Sequence, residues 1–152
     1  MQVRGVDAAA ARRLFGGLPV LSVATLDRDG SPHVVPLWFV WPEDAIYVST
    51  RREGRTWANA SADPRVALTI DLGRAWVEIA GIEVRGRAEP LPAEHAVMRQ
   101  PISAWHEKYR PLLAGEGFPR FADEVRGLGF LRVVPERVMA WDHAREEWPG
   151  AG

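Results

Sequence analysis

The sequence contains no cysteine. That excludes a disulfide framework, a thiolate metal site and a cysteine nucleophile. Lysine is nearly missing too: Lys108 stands alone among 19 basic residues, the rest being arginine. No apolar run approaches the roughly 18 residues a membrane-spanning helix needs, and residues 1–17 lack the apolar centre of a signal peptide. The expected compartment is therefore the cytoplasm, with no membrane partner. Neither sign of charge is in excess, since 19 basic and 20 acidic residues leave −1. A nucleic-acid binder normally shows a basic domain, so no nucleic-acid partner is expected. There is no Walker loop, no HExxH and no GxSxG. Gly127-Leu128-Gly129 opens like a dinucleotide fingerprint, but Arg132 holds the third glycine position and a strand follows. His33, His95, His106 and His143 fall without ligand spacing, so no metal is expected.

What is present is an ordinary globular balance, 47% hydrophobic and 26% charged over 152 residues, enough for one domain with its own core. Asp7 caps a short helix over residues 8–15, ended by Gly16-Gly17. A strand follows over 19–27, with Leu21, Val23 and Thr25 on one face and Val20, Ser22 and Ala24 on the other. Asp27-Arg28-Asp29-Gly30 is a hairpin turn in which Gly30 takes positive φ. The next strand, 31–41, is apolar on both faces, which predicts cover on both sides. Strands over 45–50 and 65–71 flank a short helix over 53–62. A long strand is predicted over 75–89, with a bulge at Ala80-Gly81. Pro90 and Pro92 end it, a helix kinked or divided at Pro101 runs over 93–109, a loop covers 110–127, and one or two strands broken at Pro135-Glu136 cover 129–141. Six strands with antiparallel hairpins and peripheral helices predict a mainly β (α+β) fold, a closed or split antiparallel β-barrel.

The informative stretch is residues 23–70. Ser49 and Thr50 close one strand, and Arg51, Arg52 and Arg55 follow at once. Three arginines less Glu53 leave +2 over 49–59 in a chain of −1. Backbone N–H groups at a helix start favour an anion, and arginine grips phosphate through paired bonds. The spacing fits a phosphate or carboxylate cradle, but on spacing alone a solvated basic turn is the more ordinary reading.

The segments Val23-Ala-Thr-Leu-Asp-Arg-Asp-Gly-Ser-Pro-His-Val-Val-Pro-Leu-Trp-Phe-Val-Trp, Ile46-Tyr-Val-Ser-Thr, Asp63-Pro-Arg-Val-Ala-Leu and Val133-Val-Pro-Glu-Arg-Val-Met-Ala-Trp-Asp resemble, in that order, the pyridoxamine-5′-phosphate-oxidase-like flavin and deazaflavin oxidoreductases. They are especially similar to the actinobacterial branch that uses coenzyme F420. The resemblance implies a single FMN-binding-type split barrel over 1–152: an N-terminal helix to residue 18, a best-matched barrel core over 19–89, a helical and loop insertion over 90–127, closing strands over 128–142 and a tail. It implies a homodimer with the cofactor, F420 or alternatively FMN, in a groove between protomers, and a small-molecule substrate. The cofactor ring would lie along Val35, Pro36, Leu37 and Trp38. Ser49 and Thr50 would meet the ribityl chain and phosphate, beside Arg51. The family's Ser-Arg-Lys falls on Gly54, Arg55 and Thr56, so the arginine is kept and the lysine is not. FMN oxidases carry basic residues where this chain has Val35 and Val40. Both departures speak against an FMN phosphate site of the oxidase type and against pyridoxamine-phosphate oxidase activity. Trp76 matches a position that reaches the cofactor in related deazaflavin binders.

The resemblance thus implies hydride transfer from F420 to a small acceptor, with no metal and no covalent nucleophile required of the protein. Water or Tyr109 is the expected proton source. Rival readings are an FMN enzyme of the same fold, a non-catalytic cofactor or haem carrier with His33 or His106 as ligand, and a nucleic-acid-binding barrel using the arginines. For Trp38 and Trp76 core packing and cofactor contact are both open; Trp41 and Trp57 are expected in core or interface, and Trp141 along the pocket.

Overall fold

The computed structural model describes residues 4–113 and 127–145. The described residues form seven strands and three α-helices: β1 (Arg4–Gly5), α1 (Ala8–Phe15), β2 (Val20–Leu26), β3 (Pro32–Val40), β4 (Ile46–Arg51), α2 (Arg55–Ala62), β5 (Arg65–Leu72), β6 (Ala80–Pro92), α3 (Arg99–Leu113) and β7 (Leu128–Asp142). The sheet runs β1-β7-β4-β3-β2-β5-β6, and β6 pairs again with β7. β2 to β7 therefore close into a six-stranded antiparallel barrel, the predicted architecture. Closure leaves no open edge along the ring. The additional strand β1 pairs with β7 outside it, Arg4 opposite Ala140; two residues carry too little periodicity to be seen in sequence.

Strand alternation fills the barrel. Leu21 and Val23 of β2, Phe39 of β3, Ile46 and Val48 of β4, Val66, Leu68 and Ile70 of β5, Ile82 and Val84 of β6 and Leu131 and Val133 of β7 are buried together. A second cluster lies outside the barrel, where Val40, Tyr47 and Phe130 meet Trp105 and Tyr109 of α3. Only the C-terminal half of β3 receives that outer cover. Val34 is 60% exposed and Pro36 is exposed, so the expected second cover is missing over the strand's first half.

Four boundaries differ from expectation, each for a local reason. Residues 76–78 form a 3-10 turn, and β6 starts only at Ala80 and continues through both prolines to Pro92. The Ala88 N–H bonds Pro64 O on the β5 side. The nitrogens of Pro90 and Pro92, two and four residues on, point the same way, beyond the last β5 pair at Arg65–Arg87. No ladder bond is lost there, so proline is tolerated. There is no bulge at Gly81. That glycine instead leaves room for a ring, since a Cβ would lie 2.5 Å from Trp141 Cζ2. The bulge sits where Arg85 and Gly86 face Arg137 and Pro135, leaving Glu136 unpaired. β7 absorbs Pro135 there and stays one strand.

The helix expected from residue 93 is a 3-10 turn at Ala96–Met98 followed by α3. Pro101 occupies its first turn, where no N–H is needed, and so does not divide it. α3 reaches Leu113; the remainder of the loop expected over 110–127 lies almost wholly outside the described residues. α1 is capped by Asp7, whose carboxylate accepts from Ala10 N, and Gly30 has φ 84° at the β2–β3 turn. No helix among the described residues is long and apolar enough to cross a membrane.

Candidate functional site

The β2–β5 pairing and the short α2 crossover set the N-terminus of α2 against the β2–β3 hairpin. Gly54 begins the helix with no side chain to cap it. The first helical residues, Arg55 and Thr56, then face the hairpin. Arg55 Nε donates to Asp27 Oδ1 at 2.8 Å, and its Nη2 donates to Asp27 Oδ2. Asn59, one turn on, donates from Nδ2 to Asp27 Oδ1 at 2.8 Å and to Thr25 Oγ1 at 3.2 Å. Thr56 Oγ1 lies 3.3 Å from His33 Nε2. The result is a polar chain running from buried Thr25 through buried Asn59 to Asp27 and out to Arg55, whose side chain is 63% exposed against 14% for Asp27. The Arg55 and Asn59 hydrogen bonds hold the Asp27 carboxyl below its ordinary range, and Asp27 raises the Arg55 guanidinium in turn.

Other predicted residues part company. Successive strand residues face opposite ways, so Ser49 and Thr50 do not act as a pair. Ser49 is buried under α3, donating to Trp38 O at 3.1 Å and accepting from Trp105 Nε1 at 3.3 Å. Thr50 is buried on the other face, opposite Gly129. Val35 and Leu37 pack toward the barrel interior, while Pro36 faces outward. Trp38 stacks on Tyr109 at 4.2 Å, nearly parallel. Trp76 is exposed on the 3-10 turn before β6, not at a strand start, with its ring edge on His143 at 4.2 Å. Arg51 is exposed and makes no ion pair among the described residues. Arg52 pairs with Glu94 and donates to Leu128 O.

Tyr109 is not a proton donor. It is fully buried, its hydroxyl meets Phe39 N and O and Pro19 O within 2.8 Å, and burial pushes its ionisation far up. The expectation placed on it from sequence is overturned by α3, which presses it against β3.

On the adjoining Ala24–Val34 rung of the same ladder, and on the opposite sheet face from buried Thr25, the outer surface opens into a shallow cavity of about 350 Å³. Ser22, Ala24, Val34, Ala67, Thr69, Glu83 and Trp141 line it, mostly with apolar surface. Trp141 therefore lines a pocket, as expected. Sequence reasoning missed Asp27 and Asn59 as site residues, and named His33 only as a candidate haem ligand. Asp27 read as a turn residue, because the signal Asp-x-Asp-Gly marked only the turn. Among the described residues no group of three or more His, Cys, Asp or Glu is placed to hold a metal.

A closed six-stranded antiparallel barrel with an α2 crossover and an outer helix defines the split-barrel class. The pyridoxamine 5′-phosphate oxidase family matches residues 8–142, and the chain belongs to that family. Among solved structures it is similar over 100% of its length, and 98% of the other chain, to the conserved hypothetical protein Rv2991 from Mycobacterium tuberculosis, at 22% identity and TM-score 0.76. It is similar to an FAD-binding protein from Mesorhizobium loti, at 25% identity and TM-score 0.67, over 92% of this chain and 97% of that one. It also resembles an F420 reductase at 19% identity and TM-score 0.65, over 88% and 98%. No curated protein sequence matches significantly.

Proposed function

We propose that this protein is a homodimeric oxidoreductase that binds coenzyme F420 and transfers hydride to a small-molecule acceptor. The observation that carries the reading is Arg55. Its guanidinium is held by one edge against Asp27 of the β2–β3 turn and its side chain stays 63% exposed, while the outer face of the same hairpin carries an apolar cavity. An anionic cofactor with a flat ring needs both features, a fixed cation and a greasy wall. The similar F420 reductase and FAD-binding structures support the same class of ligand. Arg55 and Thr56 would take the phosphate, with Arg51 available to a further anionic group. Pro36 and the outer face of β3 would meet the ring. FMN is the alternative cofactor.

When bound, the deazaflavin supplies the hydride. The chain's own part is to bind the phosphate, orient the ring and exclude water from it. With Tyr109 locked in main-chain bonds, the product takes its proton from water. A second copy of the chain would cover the bare outer sheet and complete the groove.

Fluorescence titration with F420 and FMN side by side tests the assignment. Arg55→Ala is expected to weaken F420 binding by about 1.5–3 kcal/mol, the range for a charged hydrogen bond. Unchanged affinity in that variant removes the phosphate role.

A further inference from the structure

The cradle that looks basic in sequence is electrically balanced in the fold. Asp27 pairs with Arg55 and Glu94 with Arg52. Counting Arg51, Arg52 and Arg55 against Asp27, Glu53 and Glu94, the sum is three minus three, or zero. Asp27 is no incidental surface carboxylate. It sits behind Arg55, far less exposed than its partner. Asn59 fixes it from below, and Thr25 fixes Asn59. It occupies the Nε–Nη2 edge of the guanidinium, so a ligand is left with the Nη1 side. That side can still form two hydrogen bonds, but to a group whose full positive charge is already half spent on Asp27.

Resting on the reading of Arg55 as the phosphate contact, we propose that Asp27 is a specificity-determining residue that matches the cradle to a singly charged phosphodiester and disfavours a doubly charged phosphomonoester. F420 carries its phosphate as a diester, with one charge on that group and its further charges on tail carboxylates beyond it. FMN carries a terminal monoester, with a charge of about −1.5 to −2 at neutral pH. Each added negative charge on the ligand meets the fixed Asp27 carboxylate as well as the arginine. Attraction and repulsion nearly cancel for the second charge, while the first still gains the hydrogen-bond geometry.

The test compares dissociation constants of FMN, riboflavin and F420 for the wild type, Asp27→Asn, Asp27→Glu and Arg55→Ala at one low salt concentration. Riboflavin lacks the phosphate, so the FMN-to-riboflavin ratio isolates that group. In the wild type FMN should bind no more than about 3-fold tighter than riboflavin, because a near-neutral exposed site gives little Coulomb gain. Asp27→Asn, nearly isosteric, should tighten FMN about 5-fold, F420 only about 2- to 3-fold and riboflavin hardly at all, because the Coulomb energy across the guanidinium scales with the charge on the phosphate. Asp27→Glu should keep the wild-type ratio. The proposal is overturned if Asp27→Asn leaves FMN unchanged or weaker, or if riboflavin shifts equally. It is overturned without any variant if wild-type FMN binds ten-fold or more tighter than riboflavin. Arg55→Ala without effect on F420 or FMN overturns the underlying phosphate assignment instead.

Discussion

Lys108, the chain's single lysine, shows how one residue can tie three elements. From α3 its Nζ donates to Gly16 O at the end of α1, at 3.0 Å, and to Phe39 O of β3, at 2.9 Å. It lies 3.7 Å from the centre of the Phe39 ring. The contacts seat the ammonium, yet burial pushes its pKa down to about 8. Unfolded, the group keeps its ordinary value near 10.5. Between those values the unfolded chain binds the proton and the folded chain does not, so stability rises with pH in that window. Tyr109 acts in the opposite direction above about pH 10, where the unfolded phenol ionises and the buried one does not. From pH 8 to 9.5 urea unfolding should therefore show a gain of about 1–2 kcal/mol that is missing in Lys108→Met. A flat profile in the wild type would show that the two carbonyls and the ring offset the burial. Residues of this kind are the least legible in sequence. Lys108 reads as one polar position on a helix. Arg55 is legible as a cation after a strand end, but Asp27 and Glu94, which neutralise the cradle, come from the β2–β3 turn and the stretch before α3. Only the closed ring of strands brings them to the arginines.

At the scale of elements, most strands are legible because the barrel interior imposes a period of two. Val66, Leu68 and Ile70, or Ile82 and Val84, announce their inward face without help. Where tertiary pairing decides, the pattern fails. Pro90 and Pro92 look like a strand end until β7 is seen to pair on one side alone, and Pro135 looks like a break until Glu136 is seen to bulge. The seat of α2 is a further case. Trp57 lies over Gly129 of β7 so closely that a Cβ there would fall 2.1 Å from Cζ3. Nothing in Gly127-Leu128-Gly129 signals that the second glycine exists for a tryptophan. Gly129→Ala should force Trp57 away, costing about 1–3 kcal/mol as overpacking. Because α2 carries Arg55 and Thr56, cofactor affinity should fall with it. Adding Trp57→Leu relieves the clash, so the double variant should be more stable than the sum of the two single effects. A denaturant-melt double-mutant cycle measures that coupling. Strictly additive losses would mean that the helix does not rest on this contact.

For the molecule as a whole, the sheet is covered unevenly. α3 protects the outer face of β3 only around Trp38 and Val40, while Val20 and Val34 stay exposed beside Ser22, Ala24, Ala67 and Thr69. An antiparallel sheet can face water with one side, but that side is then usually polar. Here small and apolar residues surround the cavity, which is the surface expected of a face that another chain covers. A second copy would bring the same face, so in a two-fold dimer each residue counts twice. Val34, at the middle of the bare stretch, is the sharpest probe. Analytical ultracentrifugation at micromolar concentration should give twice the chain mass for the wild type. Val34→Asp puts two unpaired carboxylates in the interface and should lower the mass to that of one chain, with the far-ultraviolet circular dichroism unchanged. If the groove between copies holds the cofactor, F420 affinity should fall in the same variant although Val34 touches neither Arg55 nor Asp27. A wild type that sediments as one chain would mean that the cavity faces water, and the apolar wall would have to come from the cofactor's fit to a single barrel.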